Sequence, residues 1–461
     1  MIRMDVAAVA EAVGGTLVDC PDPGVLVTGA AADSRLVGPG DLYVAITGER
    51  VDGHDFAGAA RDAGAVVTLG SRPTGGPTIV IGDDPVDALG RLATHVLARL
   101  PEARVVAITG SSGKTTTKDL IATLLEDLGP TVAPTGSFNT EVGLPLTILR
   151  ATEQTRFLVL EMGARGLGHV ARLCQIARPD VSVVLNVGSA HLGEFGSREA
   201  IGRAKGEIVD ALGPAGLAVL NADDPIVAAM AVRTSAAVTT FGAGPTADVR
   251  AVGLSLDAGA RPTFTLHTAA GDAQVHMAMV GEHMAANACA AAAVALHFGM
   301  PPGRIAGILD TAAPRSRWRM EVSTTPAGVT VLNDAYNANP ESMRAALRSL
   351  AAMGGQGRTI AVLGEMLELG DESIAEHDGV GRLAVRLDIS KTIAVGRGSR
   401  PLFLGAAQEG SWNEEAVFVE DVDSAIELLR GLVQPGDVVL VKASRSIGLE
   451  AVADALLEDT P

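Results

Sequence analysis

The segment VVAITGSSGKTTTKDLIATLL, residues 105–125, combines residue types that hold phosphate groups in proteins. An apolar run passes through a glycine-rich turn into an amphipathic run, and the residues at this junction are Gly110, Ser111, Ser112, Gly113, Lys114, Thr115 and Thr116. A strand, a turn and a helix N-terminus in this order direct N–H groups at an anion, to which a lysine adds positive charge. The sequence therefore predicts a phosphate site, in which the Thr115 hydroxyl could reach Mg²⁺. Ile108 replaces the glycine of the standard P-loop, so the pattern is the shorter TGxxGKT, and a chance GKT is the alternative.

Two further polar residues follow predicted strands at the same sheet edge. Glu161 ends the apolar run RFLVLE, and His191 follows the run VSVVLNVG by a few residues. Because ligands bind beyond the carboxyl ends of parallel strands, we expect both side chains near the phosphate loop. They are candidate Mg²⁺ ligands, although this hard cation prefers oxygen to imidazole nitrogen. Each alone is more often a hydrogen-bonded structural residue, and only their joint placement favours a metal site.

Lysine is rare in this chain: five of the 36 basic residues are lysines. This scarcity gives weight to Lys205, which lies on a predicted helix after the His191 loop and whose alternative role is an ordinary surface residue. Asp334 ends the run VTVLND and Arg319 precedes it in RWRME. Together they are expected to contact a nucleotide from the third domain, although each alone is more often a solvated charge.

A positively charged cluster follows the last predicted strand, VVLV, and consists of Lys442, Ser444 and Arg445. Lysine and arginine beside a hydroxyl suit a carboxylate ligand. An interdomain salt-bridge cluster is an equally good interpretation of these residues.

The elements that must position these groups form a repeating pattern of apolar strands and intervening helices. Strands that are apolar throughout predict a parallel sheet covered on both faces. We expect an α/β protein of three domains: a small N-terminal α/β domain (1–100), a central P-loop domain with a mostly parallel sheet (101–313) and a C-terminal Rossmann-like domain (314–461). Residues 247–280 are expected to form an antiparallel excursion.

Composition excludes several classes of protein. The net charge of −18 argues against general nucleic-acid binding. The most apolar window, residues 284–300, is rich in alanine and too short to span a membrane, and acidic residues interrupt the N-terminus where a signal peptide would be apolar. Three widely spaced cysteines indicate neither disulfides nor a zinc site. We expect a cytoplasmic protein, and a monomer.

The order of the motifs TGSSGKTTT, EMGA, AHLGEFGS with AKGEI, NADDP and GEHMAANACAAAA resembles the Mur ligases over essentially the whole chain. The C-terminal motifs NDAYNANPESM, VLGEMLELG and LVKASRSIGLE, with ADSRLVGPGDLYVAITGERVDGHDF near the N-terminus, are similar to one branch of the family. The DNPR motif of a sibling branch is absent. The resemblance implies ATP- and Mg²⁺-dependent addition of D-alanyl-D-alanine to UDP-N-acetylmuramoyl-tripeptide through an acyl phosphate, during peptidoglycan precursor synthesis.

The resemblance also implies residue roles. Lys114 would hold the β- and γ-phosphates, Lys205 would be carbamoylated, and Asn287 would contact adenine. Arg319 and Asp334 would bind the phosphates and ribose. The implied metal ligands are Thr115, Glu161, His191 and Lys205. The implied substrate-binding residues are Asp33, Ser34, Arg35, His54 and Phe56 for the uridine diphosphate, and Asn139, Thr140, Asn337, Lys442, Ser444 and Arg445 elsewhere.

Two positions depart from the family pattern. Met284 replaces the first asparagine of the family's GxHNxxN motif, and Thr140 replaces the second asparagine of an Asn-Asn pair. Alternatives to the implied activity are a folylpolyglutamate synthetase-like amide ligase and a non-catalytic binding protein controlled by nucleotide. The third residue of the tripeptide, diaminopimelate or lysine, is left open, as are regulation and domain closure.

Overall fold

The computed structural model describes residues 1–48, 50–188, 192–355, 357–410 and 415–458. Within these ranges the strands form a two-stranded pair and sheets of five, nine and six strands, which follow one another along the chain. The larger sheets are mostly parallel, with helices between successive strands. The predicted α/β architecture in three successive units is thus observed, whereas the domain boundaries remain a prediction.

The N-terminal unit is a short α/β segment. Its elements are β1 (Met4–Asp5), α1 (Val6–Val13), β2 (Thr16–Val18), β3 (Leu26–Val27), β4 (Gly29–Ala31), β5 (Asp41–Val44), α2 (Ala57–Asp62), β6 (Val67–Gly70), β7 (Thr78–Val80) and α3 (Pro85–Ala98). The sheet order is β2-β7-β6-β5-β4, and only β2 runs antiparallel to its neighbour in this described sheet. Helix α3 begins where Asp84 accepts a hydrogen bond from the N–H of Val86 and Pro85 occupies the first turn.

The central unit carries the predicted phosphate loop after an interior strand of its sheet. Its elements are β8 (Arg104–Thr109), α4 (Lys114–Glu126), β9 (Thr131–Val132), α5 (Gly143–Ile148), β10 (Phe157–Glu161), α6 (His169–Ile176), β11 (Val181–Val184), α7 (Leu192–Phe195), α8 (Arg198–Asp210), β12 (Leu217–Asn221), α9 (Pro225–Ala228), β13 (Ala237–Gly242), β14 (Val249–Leu256), β15 (Pro262–Thr268), β16 (Gly271–His276), α10 (Met284–His297) and α11 (Pro302–Leu309). The order is β16-β15-β14-β13-β12-β11-β8-β10-β9. Strands β14 to β16 form the antiparallel excursion expected in residues 247–280.

The C-terminal unit has a second doubly wound sheet. Its elements are β17 (Glu321–Thr324), β18 (Thr330–Asn333), α12 (Pro340–Met353), β19 (Thr359–Leu363), α13 (Ser373–Arg386), β20 (Lys391–Val395), α14 (Arg400–Glu409), β21 (Ala416–Val419), α15 (Val422–Leu432), β22 (Val438–Lys442) and α16 (Glu450–Glu458). The order is β17-β18-β22-β19-β20-β21. The last strand, β22, therefore lies between β18 and β19, and the strand order changes direction there, as at the ligand crevices of such sheets.

The units share hydrophobic cores. One cluster of buried apolar side chains extends from Ile121 in α4 through Cys289 in α10 to Leu347 in α12. A second cluster joins α3 to α5 and α6 beneath the opposite face of the central sheet. Because burial of apolar surface is the main stabilising term, these clusters hold both flanking units against the central one. None of the described helices has the length and apolar character needed to cross a membrane.

A buried histidine supports a loop of the C-terminal unit. The Nε2 atom of His377 accepts a hydrogen bond from the N–H of Met366 at 2.9 Å, and Nδ1 lies 2.7 Å from the carbonyl oxygen of Ser373. These partners require the neutral ring, with its proton on Nδ1. Burial lowers the pKa of His377, and this outweighs the opposite effects of the Ser373 carbonyl, Glu365 and Glu376.

We predict that His377 makes the protein sensitive to acid. Its pKa is lower in the folded chain than the ordinary value of 6.5, so the unfolded chain binds more protons as the pH falls below that value. Stability contributed by His377 is complete above this pH and is lost below it, with a limiting slope of about 1.4 kcal/mol per pH unit. The midpoint of urea unfolding should therefore fall less between pH 7.5 and 5.5 in His377→Gln than in wild type. The exposed-histidine control His95→Gln should follow wild type, and identical pH profiles for wild type and His377→Gln would contradict the prediction.

Candidate nucleotide and metal site

A cleft of about 780 Å³ lies between the central and C-terminal sheets, at the carboxyl ends of β8, β10, β18 and β22. Its lining includes most of the residues singled out in the sequence: Ser111, Ser112, Gly113, Lys114, Thr115, Thr116, Asn139, Thr140, Glu161, Lys205, Asn287, Arg319, Asp334, Asn337, Lys442, Ser444 and Arg445. Gly110 lies directly before this loop. His191 lies outside the described residues.

The phosphate loop has the geometry of an anion site. Gly113 has a φ of +80° and precedes α4, whose first-turn N–H groups lack intrahelical acceptors. The Lys114 ammonium donates to the carbonyl of Gly110 at 2.7 Å. Burial lowers the pKa of Lys114; Glu161 raises it and Arg319 lowers it to smaller extents. An anionic ligand in the loop would supply the charge compensation that burial removes from this lysine.

Asn186 holds the loop and was missed by the sequence reasoning. Its Oδ1 atom accepts hydrogen bonds from the N–H groups of Ser111 at 3.0 Å and Ser112 at 2.9 Å, and its Nδ2 donates to the carbonyl of Ser112 at 3.2 Å. The N–H groups of these two serines, expected to face an anion, thus have a protein acceptor. The signal was available, because Asn186 ends an apolar strand run just as Glu161 does.

Glu161 and Thr115 meet in the buried floor of the cleft. The Thr115 hydroxyl donates to Oε2 of Glu161 at 2.9 Å, and Nδ2 of Asn139 donates to Oε1 at 2.8 Å. A carboxylate and a hydroxyl are oxygen donors of the kind Mg²⁺ prefers, and protein Mg²⁺ sites often use one or two carboxylates with substrate phosphates and water. The described residues contain no group of three or more His, Cys, Asp and Glu side chains that could hold a metal. The pair therefore fits a site that nucleotide oxygens complete.

Lys205 lies on the buried face of α8, a helix of the central unit. Only 3% of its surface is exposed, and within the described ranges its ammonium has no hydrogen-bond partner. Burial, and then the charge of Lys114, hold the pKa of Lys205 well below its usual range. This buried lysine is not the ordinary surface residue that was its alternative role.

The C-terminal unit reaches into the phosphate site. Nη2 of Arg319 donates to the hydroxyl oxygens of Thr115 and Ser137, each at 3.2 Å, and the guanidinium lies 4.1 Å from the ring centroid of Tyr336. Nδ2 of Asn339 donates to the carbonyl of Ser111 at 3.2 Å. The structure therefore has the C-terminal unit closed on the phosphate loop.

The predicted carboxylate cluster makes contacts within its own unit. Lys442 is 1% exposed and donates to Oδ2 of Asp334 at 2.6 Å and to the carbonyl of Asn337 at 2.8 Å. Ser444 accepts from the N–H of Leu367 at 3.0 Å. Arg445 pairs with Glu450, and its guanidinium lies 4.2 Å from the ring centroid of Trp318. A salt bridge therefore accounts for Lys442, although its partner lies in the same unit rather than across a domain boundary.

The Met284 departure has a local structural consequence. Nδ2 of Asn287 lies 3.8 Å from the sulfur of Met284 and donates to it. Oδ1 of Asn287 lies against the phosphate loop, 2.9 Å from where a Cβ atom on Gly113 would stand. The asparagine expected to contact adenine therefore faces the loop on one side and the thioether on the other.

The residues expected to bind uridine diphosphate lie apart from this cleft. Asp33 caps the short 3₁₀ turn that contains Ser34 and forms a two-point ion pair with Arg35, which lowers the pKa of Asp33 to about 2. His54 is buried and structural: its Nε2 accepts from the N–H of Ser71 at 3.0 Å. Phe56 is exposed. The structure does not bring these residues together with the phosphate site.

Comparison with known proteins agrees with this geometry. Family profiles match in succession: "Mur ligase family, catalytic domain" at 26–92, "Mur ligase middle domain" at 108–295 and "Mur ligase, glutamate ligase domain" at 318–445. The chain belongs to the Mur ligase family. It is 49% identical to the UDP-N-acetylmuramoyl-tripeptide–D-alanyl-D-alanine ligase of Mycobacterium tuberculosis, over 100% of this chain and 98% of that protein.

Solved structures extend the likeness to the whole fold. MurF from Acinetobacter baumannii is 32% identical, with a TM-score of 0.89 over 99% of both chains. MurF ligase from Thermotoga maritima in complex with ADP is 30% identical, with a TM-score of 0.81 over 94% of this chain and 97% of that one. The predicted family, the three-unit fold and the ligase class are confirmed.

We predict that Gly113→Ala disrupts the phosphate loop. Alanine at a φ of +80° is strained, and its Cβ would lie 2.9 Å from Oδ1 of Asn287. The dissociation constant for Mg-ATP, measured by calorimetry, should rise by about tenfold or more, since about 1.4 kcal/mol corresponds to tenfold.

The matched control for this substitution is Gly431→Ala. Gly431 lies in α15, where an added Cβ meets no atom within 4 Å beyond its chain neighbours and the backbone of its own helix. This change should leave nucleotide affinity unaltered and should stabilise the helix slightly. Wild-type affinity in Gly113→Ala would show that the loop tolerates a side chain and that the assignment of Gly113 is wrong.

Proposed function

We propose that this chain catalyses ATP-dependent formation of an amide bond between UDP-N-acetylmuramoyl-tripeptide and D-alanyl-D-alanine, in peptidoglycan precursor synthesis. The observation that carries the proposal is full-length similarity to enzymes of that name, together with a cleft lined by the phosphate-loop residues and by Glu161. In this reaction the tripeptide carboxylate takes the γ-phosphoryl group of ATP, releasing ADP. The amine of the dipeptide then attacks the acyl carbon, loses a proton and expels inorganic phosphate.

Both steps move negative charge between oxygen atoms, so the site must neutralise charge and position the reactants. Lys114 and Arg319 supply the cations at the phosphate loop, and their contacts with Gly110 and Thr115 fix where those charges lie. Mg²⁺ would neutralise phosphate charge, held by Thr115 and Glu161, with His191 as a further proposed ligand. Asn139 keeps the Glu161 carboxylate oriented through its hydrogen bond to Oε1.

Carbamoylation of Lys205 is part of the proposal. A lysine whose pKa is lowered has a larger neutral fraction, and a neutral amine can add to CO₂ with loss of one proton. The product carries a negative carboxylate-like group in place of an ammonium. This change would remove the repulsion between Lys205 and Lys114 and add an oxygen donor beside the phosphate site.

The remaining roles are also proposals. We assign Asp33, Ser34, Arg35, His54 and Phe56 to the uridine diphosphate pocket, where His54 acts by fixing the backbone at Ser71. Asn287 is assigned to adenine and Asp334 to ribose. Residues that contact the peptide substrates are proposed to be Asn139, Thr140, Asn337, Lys442, Ser444 and Arg445. The proposal includes the domain bounds 1–100, 101–313 and 314–461, a monomer, and a cytoplasmic location.

The proposed function predicts a specific substrate requirement. Purified protein with Mg-ATP should release phosphate steadily only when UDP-N-acetylmuramoyl-tripeptide and D-alanyl-D-alanine are both present, and the product should gain one dipeptide by mass. Lys114→Ala should lose this activity because the phosphate loop loses its cation. Bound ATP without turnover would favour a non-catalytic binding protein. Turnover with a folate and glutamate instead would favour a folylpolyglutamate synthetase-like ligase.

The carbamate proposal predicts chemical rescue. Lys205→Ala should lower turnover about a hundredfold or more, and short carboxylic acids such as acetate should restore part of it by replacing the missing carboxylate. Lys391→Ala, which alters a lysine on β20 away from the cleft lining, should keep wild-type turnover without any response to acetate. Full activity in Lys205→Ala, or a complete lack of rescue, would contradict the role given to this lysine.

A further inference from the structure

Lys118 is a completely buried lysine that the proposed reaction does not use. It lies one helical turn after Lys114 in α4, with 0% of its surface exposed. Its ammonium donates to the carbonyl oxygens of Pro134 and, at 3.1 Å, Gly136, and lies 2.8 Å from Oδ1 of Asp119. The three N–H donors of an ammonium thus have three acceptors. Protein groups therefore fully compensate the Lys118 ammonium, which has no donor left for a ligand.

These contacts close into a ring through the chain that joins the central and C-terminal units. Oδ2 of Asp119 accepts a hydrogen bond from the Ser316 hydroxyl at 2.8 Å, and the same hydroxyl oxygen accepts from the N–H of Gly136 at 3.2 Å. Lys118, Asp119, Ser316 and Gly136, here termed the Lys118 ring, therefore connect α4, the loop before Asn139 and the interdomain linker. Ser316 is buried.

Each non-helical member of the ring lies beside a residue of the reaction site. Gly136 directly precedes Ser137, whose hydroxyl lies 2.7 Å from that of Thr115. Ser316 lies three residues before Arg319, which donates to the hydroxyls of both Thr115 and Ser137. The first two turns of α4 are therefore hydrogen-bonded both to residues 134–137 and to the linker.

We propose that Lys118, Asp119 and Ser316 are positioning residues for phosphoryl transfer. They hold the linker and the loop of residues 134–139 in fixed positions relative to each other. The inference rests on the proposed function. A shift of the linker relative to α4 would move Arg319, and a shift of the loop would move Ser137 and Asn139, the latter bonded to Glu161. One ring therefore couples closure of the C-terminal unit to the geometry of the Thr115 and Glu161 pair. Small misplacements of such groups have large effects on rate.

Stability alone is a weak reason for such a ring. Buried ion pairs contribute little net stability compared with apolar side chains of similar size, because both charges lose water. Loss of a merely structural residue would lower the fraction of folded protein and leave kcat per folded molecule unchanged. The positioning role instead predicts a loss that falls on the chemical step.

The test compares Ser316→Ala and Asp119→Asn with the linker variant Arg315→Ala. Arg315 also ties the linker to α4, through its ion pair with Glu126, but does not reach Gly136. Ser316→Ala and Asp119→Asn should each lower kcat per folded molecule for substrate-dependent phosphate release about tenfold, with the folded fraction measured by circular dichroism, while KM for ATP stays within about twofold. Arg315→Ala should keep wild-type kcat.

Hydrogen exchange followed by mass spectrometry gives a readout that needs no activity. In Ser316→Ala, exchange should accelerate in peptides covering both 130–142 and 314–320, whereas Arg315→Ala should affect only the linker peptide. Unchanged kcat in Ser316→Ala, or faster exchange in one segment alone, would overturn the inference. If wild type lacks the proposed reaction, that function fails, and the exchange experiment still decides whether the two segments are coupled.

Discussion

Burial of positive charge in the cleft between the central and C-terminal sheets is the constraint on which the rest of this structure depends. Lys114, Lys205 and Lys442 line one cleft, and burial is the largest cause of the lowered pKa of each. Removing an ammonium from water is costly unless anions or carbonyl oxygens replace the lost hydration. The fold compensates the charge of each lysine differently. These differences separate a lysine with a structural role from lysines suited to ligand binding or chemical modification.

Lys442 is compensated inside the protein. Asp334 and the carbonyl of Asn337 accept from its ammonium, so it fixes the strand ends of the C-terminal sheet. Lys114 has a carbonyl of its own loop and the more distant charge of Glu161, which leaves it suited to an anionic ligand. Lys205 has Lys114 nearby, and its ammonium has no hydrogen-bond acceptor among the described residues. Its charge is the least compensated, which is why chemical conversion to a carbamate is a physically reasonable outcome.

The sequence predicts those features of the fold and site that follow from hydrophobic periodicity and from polar residues at strand ends. Apolar strands followed by polar residues located the phosphate loop and Glu161 at one sheet edge, because parallel strands must end together. The same reasoning did not reveal that His54 is held by Ser71, since a motif does not specify which backbone group a side chain contacts. Asn186 satisfied the strand-end rule but lacks the charge that drew attention to Glu161. The role of Ser316 depends on contacts with Asp119 and Gly136, both more than 170 positions away, which no local pattern encodes.

The same electrostatic constraint opposes closure of the C-terminal unit while no anion is bound. Arg319 brings another cation towards Lys114, which lowers the pKa of that lysine further and is unfavourable in the absence of an anion. The hydroxyls of Thr115 and Ser137, the ring of Tyr336 and the hydrogen bond from Asn339 to Ser111 offset this repulsion. Nucleotide phosphates between the two cations would turn repulsion into attraction. Ligand binding would therefore favour the closed arrangement by interacting with both units at once, and the linker at Ser316 would determine where the second cation arrives.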